Sequence, residues 1–182
     1  MIIESFNAKL SNGNLVHVVI RHAIKSDLPG IWENFNSVVC ERKYIPVISE
    51  ITNKYEQDSW FYNHQTENNI VLVAIINDQI GGHCTIEHNN WECSEQAGEL
   101  GILLNKKYRN AKPSIGKHLM KNALREAKLK GFEKVNLSVF HTNINAIELY
   151  KKMGFKIIGT RKKQFFIDEV YYDEVLMDYF ID

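Results

Sequence analysis

The chain has 182 residues, 45% of them hydrophobic and 24% charged, and its 22 basic residues are balanced by 22 acidic ones. That length suits a single domain over residues 1–182 with enough apolar material for a core, which argues against a mainly disordered, fibrous or low-complexity chain. Neutrality argues against a globally charged nucleic-acid or membrane surface, and the longest apolar run, Ile70–Ile76, falls far short of the about 20 residues that cross a bilayer.

Residues 15–21 (LVHVVIR) are rich in β-branched side chains and predict a strand. Ser26 and Asp27 offer N-caps, Pro29 falls in the first turn, and Ile31, Trp32, Phe35, Val38 and Val39 recur at helical spacing. Residues 41–57 are less periodic and include Pro46; a short second helix is expected from about Ile48, with Trp60, Phe61 and Tyr62 just after it. Ile70–Ile76 is apolar throughout, as a strand covered on both faces would be. Asn77-Asp78 turns the chain back into a hairpin partner over residues 80–87, where Gly81-Gly82 predicts a bulge or a close backbone approach. A polar loop over 88–96 precedes a strand over 99–104, which runs directly into a basic loop. The clearest helix spans 114–130: Ile115, Leu119, Met120, Ala123, Leu124 and Ala127 form one apolar stripe, and Gly131 stands where a left-handed terminal residue belongs. Val135, Leu137 and Val139 alternate as a strand, Thr142 or Asn143 caps a short helix ended by Gly154, and strands follow over 155–161 and 170–179. This order predicts an α/β domain with a mixed, mostly antiparallel sheet flanked by helices.

Charge is concentrated in one place. Residues 105–134 carry ten basic side chains against only Glu126 and Glu133, which points to a local anion site. A strand, a basic loop and a helix start hold phosphates well, because backbone N–H groups, the helix dipole and cations converge there. Arg109, Lys112 and Lys117 would add charge, while Ser114 and Gly116 permit close approach. A nucleotide-hydrolase P-loop would need Gly at 111 and Ser or Thr at 118, where the chain has Ala111 and His118. His83, Cys84, His88 and Cys93 match no usual zinc spacing, and strand alternation sends His83 and Cys84 to opposite faces, so no metal is expected. No aromatic-interleaved sheet motif for RNA is present. Three cysteines without CxxC spacing, and a start without a basic-then-apolar leader, fit reduced thiols in a cytoplasmic setting.

The segment NINAIELYKKMGF carries the pattern N-x-x-A-I-x-L-Y-x-x-x-G-F, through Asn143, Ala146, Ile147, Leu149, Tyr150, Gly154 and Phe155. This pattern resembles the GNAT superfamily of acyl-CoA-dependent N-acyltransferases, and the preceding strand–loop–helix resembles that family's CoA-binding loop, Q/R-x-x-G-x-G/A. The tail YYDEVLMDYF is similar to the closing strand of the amino-acid, peptide and antibiotic acetyltransferase branch. Matching Ile115, Gly116, Lys117 and Leu119 places Ser114 at the loop's first Gly and leaves two extra residues after Arg109, whereas a gapless match puts Lys112 and Ser114 at the two small positions.

The resemblance implies two neighbouring central strands that splay, so that the arm of acetyl-CoA pairs with one of them near Leu103 and Leu104. It implies cosubstrate contacts from Arg109, Asn110, Lys112, Ser114, Ile115, Gly116, Lys117 and Asn143, and no metal. A primary amine of a small molecule, amino acid or peptide would attack the thioester directly in a ternary complex, with Tyr150 serving the leaving thiolate. Some relatives place a base at the position of Ser138; Glu99 on the neighbouring strand is the expected base here, with His141 the alternative and Asp173 a candidate partner for the acceptor's ammonium. The acceptor pocket is expected from residues 41–62, where Tyr44, Trp60, Phe61 and Tyr62 are candidate lining, and from the final hairpin. Acidic Glu41, Glu50, Asp168, Glu169 and Asp173 point to a cationic acceptor. Neither nucleic acid nor membrane is an expected partner, and homodimers are common among such relatives. The competing expectation is a catalytically inactive CoA-binding sensor or partner-binding domain, left open by the altered loop and the missing strand carboxylate.

Overall fold

The structure, a computed structural model, describes residues 2–64, 69–88 and 91–181. Its strands are β1 (Ile2–Lys9), β2 (Leu15–His22), β3 (Ile70–Ile76), β4 (Gln79–His88), β5 (Ala97–Leu104), β6 (Lys134–Phe140), β7 (Lys156–Ile167) and β8 (Val170–Phe180). Its helices are α1 (Leu28–Val39), α2 (Lys54–His64), α3 (Ile115–Leu129) and α4 (Ile144–Lys152). The eight strands form one sheet in the order β1-β2-β3-β4-β5-β6-β8-β7, antiparallel everywhere except between β5 and β6. The expected α/β architecture, a mostly antiparallel sheet flanked by helices, is therefore present.

The uniform apolarity of β3 follows from its position between two helical layers. Ile70, Leu72, Ala74 and Ile76 join one core with Leu119, Met120, Ala123 and Ala127 of α3. Val71 and Val73 face the other way, into a second core with Ile31 and Trp32 of α1 and Phe61 of α2. Helix α3 starts at Ser114, whose Oγ accepts from the Lys117 N–H at 3.3 Å, and it is followed by Gly131 at φ +85°.

Gly81 is the bulge: Ala74 pairs with Gly82 while Ile75 pairs with Ile80, leaving Gly81 as the extra residue. A Cβ there would lie 2.5 Å from Ile76 Cδ1, and one at Gly82 would lie 2.9 Å from the Leu103 carbonyl. Both expected features therefore occur together, and the close approach at Gly82 brings β4 tightly against β5.

The structure corrects the sequence reading in three places. Strand β1 had no predicted counterpart. Its inward-facing position 4 is a glutamate that accepts from Asn122 Nδ2 at 2.5 Å and contacts His118 Nδ1 at 2.9 Å on α3, so a polar residue interrupts the apolar alternation. The second helix runs over Lys54–His64 instead of starting near Ile48, and so contains Trp60, Phe61 and Tyr62. Its start is marked by Asn53, whose Oδ1 accepts from the Tyr55 and Glu56 N–H groups. Strand β7 extends to Ile167, through a break in register between Arg161 and Phe165 with Lys163 at φ +52°, beyond the expected end at residue 161.

The feature that creates a site is the seam between β5 and β6. Only Ala97, Gly98 and Glu99 pair with Lys134, Val135 and Asn136. Beyond Glu99 no further rung joins the two strands among the described residues, although β5 stays paired with β4 through Leu104 and β6 with β8 through Phe140. The expected splay of two central strands is present, and it opens a wedge inside an otherwise continuous sheet.

Candidate active site

The first turn of α3 packs beside the part of β5 beyond Glu99, with Gly116 in contact range of Ile102. The basic loop between β5 and α3 docks against β1, with backbone hydrogen bonds of 2.8 and 2.9 Å between Lys9 and Lys112. Asn110 takes φ +62° there. Lys112 has its own N–H and C=O engaged by Lys9 and offers only its exposed side chain. Lys117 is also exposed, and neither lysine has an ion-pair partner among the described residues. Ile115 and Gly116 are buried in the first turn of α3, and their N–H groups have no acceptor among the described residues. A Cβ at Gly116 would sit 3.8 Å from Leu149 Cδ2 and 4.0 Å from Ile102 Cδ1, which is ordinary contact, so packing alone does not demand glycine.

Arg109 is placed differently from its lysine neighbours. Its guanidinium holds Glu41 through contacts of 2.8 and 2.5 Å, its Nε donates to the Leu104 carbonyl at 2.9 Å, and it lies over the Tyr44 ring. The residue thus ties the basic loop to the segment after α1. The Leu103 carbonyl is 3.5 Å from Asn34 Nδ2, so the carbonyls of both Leu103 and Leu104 already have side-chain donors nearby.

On the opposite side the wedge widens into a cavity of about 360 Å³. Gly101, Ile102 and Leu103 of β5 and Ser138, Val139 and Phe140 of β6 form its two strand walls, with Tyr150 and Asn143 of the α4 region between them. Asn143 caps α4, its Oδ1 accepting from the Ala146 N–H at 3.4 Å. Tyr150 is 7% exposed, and its hydroxyl has no hydrogen-bond partner among the described residues. Burial, with a smaller contribution from Cys84, pushes the phenol well above its ordinary value, so it stays protonated and remains a donor.

The rest of the cavity is aromatic and faces α1 and α2. Trp32 packs edge-on against Phe35 and Trp60, with ring centroids 5.2 and 5.6 Å away, and Phe165 closes against Phe140 at 4.9 Å. His83 lines it as well. Burial drives this imidazole down to about 4, so it is neutral, with Nδ1 3.3 Å from Asn34 Nδ2.

The carboxylate that lines the cavity is Glu87. Burial works to raise it, but the His64 hydrogen bond and charge, with help from Thr85, bring it below its ordinary value. His64 is held reciprocally: burial opposes its charge, and Glu87 at 2.8 Å together with the Trp60 carbonyl at 2.6 Å raises it. Glu99 is the in-register neighbour of Glu87 at the last closed rung of the wedge and is not a lining residue. Burial first, then repulsion from Glu87 and Glu174, raises the Glu99 carboxyl.

The remaining candidates disperse. Of the expected aromatic lining, Tyr44 and Trp60 reach the cavity, whereas Phe61 is core and Tyr62 is exposed beside Lys25. Glu50 contacts Cys40, Asp168 is gripped by Arg42, and Asp173 pairs with Lys162 at 2.8 Å, so these acidic groups already have partners within the chain. His141 is exposed and accepts from the Asp173 N–H at 3.0 Å, outside the cavity. His83 and Cys84 lie in opposite cores, and no group of metal-ligating side chains occurs among the described residues. Glu87 and His64 are the site residues that sequence reasoning missed. The available signal was the in-register alternation His83, Thr85, Glu87 on the strand opposite Glu99.

A wedge within a mixed sheet, opening on a basic helix start on one side and a cavity on the other, is the layout of an acyl-CoA-dependent transferase. The sequence profile of the acetyltransferase (GNAT) family matches residues 35–155, and the chain belongs to that family. It is 30% identical to the L-amino acid N-acetyltransferase AaaT of Escherichia coli (strain K12) over 107 residues, which are 58% of this chain and 65% of that protein. The acetyltransferase of GNAT family from Streptococcus pneumoniae superposes with a TM-score of 0.81 at 27% identity, covering 90% of this chain and 99% of the other. A phosphinothricin acetyltransferase from Sinorhizobium meliloti in complex with AcCoA shares the fold, with a TM-score of 0.84 at 19% identity over 90% of this chain and 88% of that one.

Proposed function

We propose that the protein transfers the acetyl group of acetyl-CoA to a primary amine of a small molecule, amino acid or peptide by direct attack within a ternary complex. The observation that carries this reading is the wedge: beyond Glu99, β5 has no β6 rung among the described residues, Tyr150 lines the cavity beside it, and Gly116 in the first turn of α3 lies against Ile102 of β5. The residues fit acetyl-CoA. Unpaired N–H groups at Ile115 and Gly116, beside the Ser114 cap that takes the Lys117 N–H and flanked by Lys112, Lys117 and Asn110, suit phosphate oxygens. Gly116 is small where packing leaves room for a methyl group, which an approaching phosphate would use. Leu103 lines the cavity, with Leu104 next on β5, so the arm would compete there with the Asn34 and Arg109 donors already near their carbonyls, and Asn143 stands at the α4 edge. Arg109 contributes by fixing the loop that carries these groups.

Acetyl-CoA, when bound, supplies an activated acetyl thioester. An amine with a pKa near that of lysine, about 10.4, is protonated at neutral pH and must lose a proton to attack. Glu99 is the proposed acceptor of that proton, through water, because its raised carboxyl is a stronger base than an ordinary glutamate. As the C–N bond forms and the C–S bond breaks, the protonated Tyr150 hydroxyl would donate a hydrogen bond to the departing thiolate, which takes its proton from water. Backbone N–H groups of β5 at the wedge would stabilise the charge that develops on the carbonyl oxygen.

Purified protein mixed with acetyl-CoA and a panel of amines is expected to release free CoA thiol with at least one acceptor. Acetyl-CoA binding without thiol release for any amine would overturn the catalytic reading and indicate a CoA sensor.

A further inference from the structure

We infer that the acceptor is a small primary amine with an apolar, aromatic body and no carboxylate beside the amine, an inference that rests on the N-acetyltransfer reading above. The cavity walls are indole and phenyl faces from Trp32, Phe35, Trp60, Phe140 and Phe165. Such walls hold a flat apolar body and favour an ammonium group over their faces.

The charges around the cavity select against an anion. Its ionised group is the Glu87 carboxylate, and its histidine, His83, is neutral. No lysine or arginine lines it among the described residues, and residues 65–68 and 89–90 contain no basic side chain. The arginines around it are already paired: Arg109 holds Glu41, Arg42 holds Asp168 through contacts of 2.6 and 2.5 Å, and Arg161, whose charge reaches Glu99, holds Glu174 at 2.9 Å. The buried Trp32 indole N–H lacks a partner among the described residues, but it is neutral and cannot replace a cation. A carboxylate on the acceptor would be desolvated with no lysine or arginine in the lining to pair with it, and would add to the carboxylate repulsion that, after burial, raises Glu99. An incoming ammonium would instead share the Glu87 carboxylate with His64, which holds only its Oε1, at 2.8 Å. Acetylation removes that charge, which weakens the product's hold.

Size follows from the same two ion pairs. Tyr44, Ile45, Pro46 and Ile51 roof the cavity, and the segment bearing them is fastened at Glu41 to the basic loop and at Arg42 to the β7–β8 turn. A peptide chain would have to leave past that strap, whereas a single ring with a short aminoalkyl chain stays inside.

Tryptophan fluorescence titration of the whole protein compares 2-phenylethylamine with L-phenylalanine, which differ by one carboxylate, and thiol release from acetyl-CoA is measured with the same pair. The amine is expected to bind, and to react by kcat/KM, at least about tenfold better, and Glu87→Gln is expected to narrow that ratio. Equal or better performance by L-phenylalanine in either assay would overturn the inference. Parity of n-butylamine with 2-phenylethylamine would overturn its aromatic part, and a Phe-Gly-Gly tripeptide outperforming 2-phenylethylamine would overturn its small-molecule part. Failure of the N-acetyltransfer reading looks different: no thiol release with any amine, while the fluorescence comparison still decides the acceptor chemistry.

Discussion

The two sides of the wedge are built on different principles. The side proposed for the donor is local: the β5 edge, the basic loop and the first turn of α3 follow one another in the chain, and the features proposed for ligand contact are mostly backbone groups. The acceptor side is assembled from distant residues, with Glu41 held by Arg109, Arg42 by Asp168, and Glu87 by His64. Backbone recognition of phosphates requires small residues at fixed spacing, so it leaves a motif. Side-chain recognition of an acceptor depends on which elements the fold brings together, and it changes without disturbing the sheet. A family can therefore keep one donor site and vary its acceptors.

Perturbing the two sides separately should give separable effects. The largest is expected at their junction: Tyr150→Phe removes a hydroxyl that has no hydrogen-bond partner among the described residues, so kcat should fall by about 100-fold while acetyl-CoA affinity and melting temperature hold. Next is Gly116→Ala on the donor side. The methyl has room in the fold and alanine favours helix, so thermal stability should not drop, while calorimetry should show acetyl-CoA binding weakened by about tenfold. Arg109→Ala should do the reverse of Lys117→Ala. The first frees the Glu41 strap and raises the acceptor KM with acetyl-CoA affinity unchanged, and the second weakens acetyl-CoA with little effect on the acceptor. Equal losses of acetyl-CoA affinity in both variants would place Arg109 on the phosphates.

The smallest effect concerns the Glu87–His64 pair. Its histidine is raised above 6.5, so that contribution is complete below 6.5 and is lost as pH climbs through the raised value. Its carboxylate is lowered below 4.5, so that contribution is complete above 4.5 and is lost as pH falls through the lowered value. Urea midpoints followed from about pH 5 to 9 should decline on the alkaline side, and His64→Phe should flatten that decline.

What the sequence made legible follows the same division. The α3 stripe, the Ser114 cap, the Gly81 bulge and the Asn143–Phe155 segment were readable because each is a short-range requirement. Strand β1 was hidden because Glu4 faces inward to His118 and Asn122, and α2 because its helix lacks a consistent apolar stripe around Trp60 and Phe61. Glu41 and Asp168 read as free acidic groups in sequence because their arginine partners lie far along the chain. Glu87 escaped notice because its role depends on register with Glu99 and on a histidine from a helix that had been placed too early.

The central claim is that the gap between β5 and β6 receives an acyl-CoA arm whose phosphates rest on α3. Amide hydrogen exchange with and without saturating acetyl-CoA tests it most directly. Added protection is predicted over residues 100–104 and 114–117, with the β1–β2 edge unchanged. Unchanged exchange in both segments, or protection confined to other parts of the sheet, would contradict it.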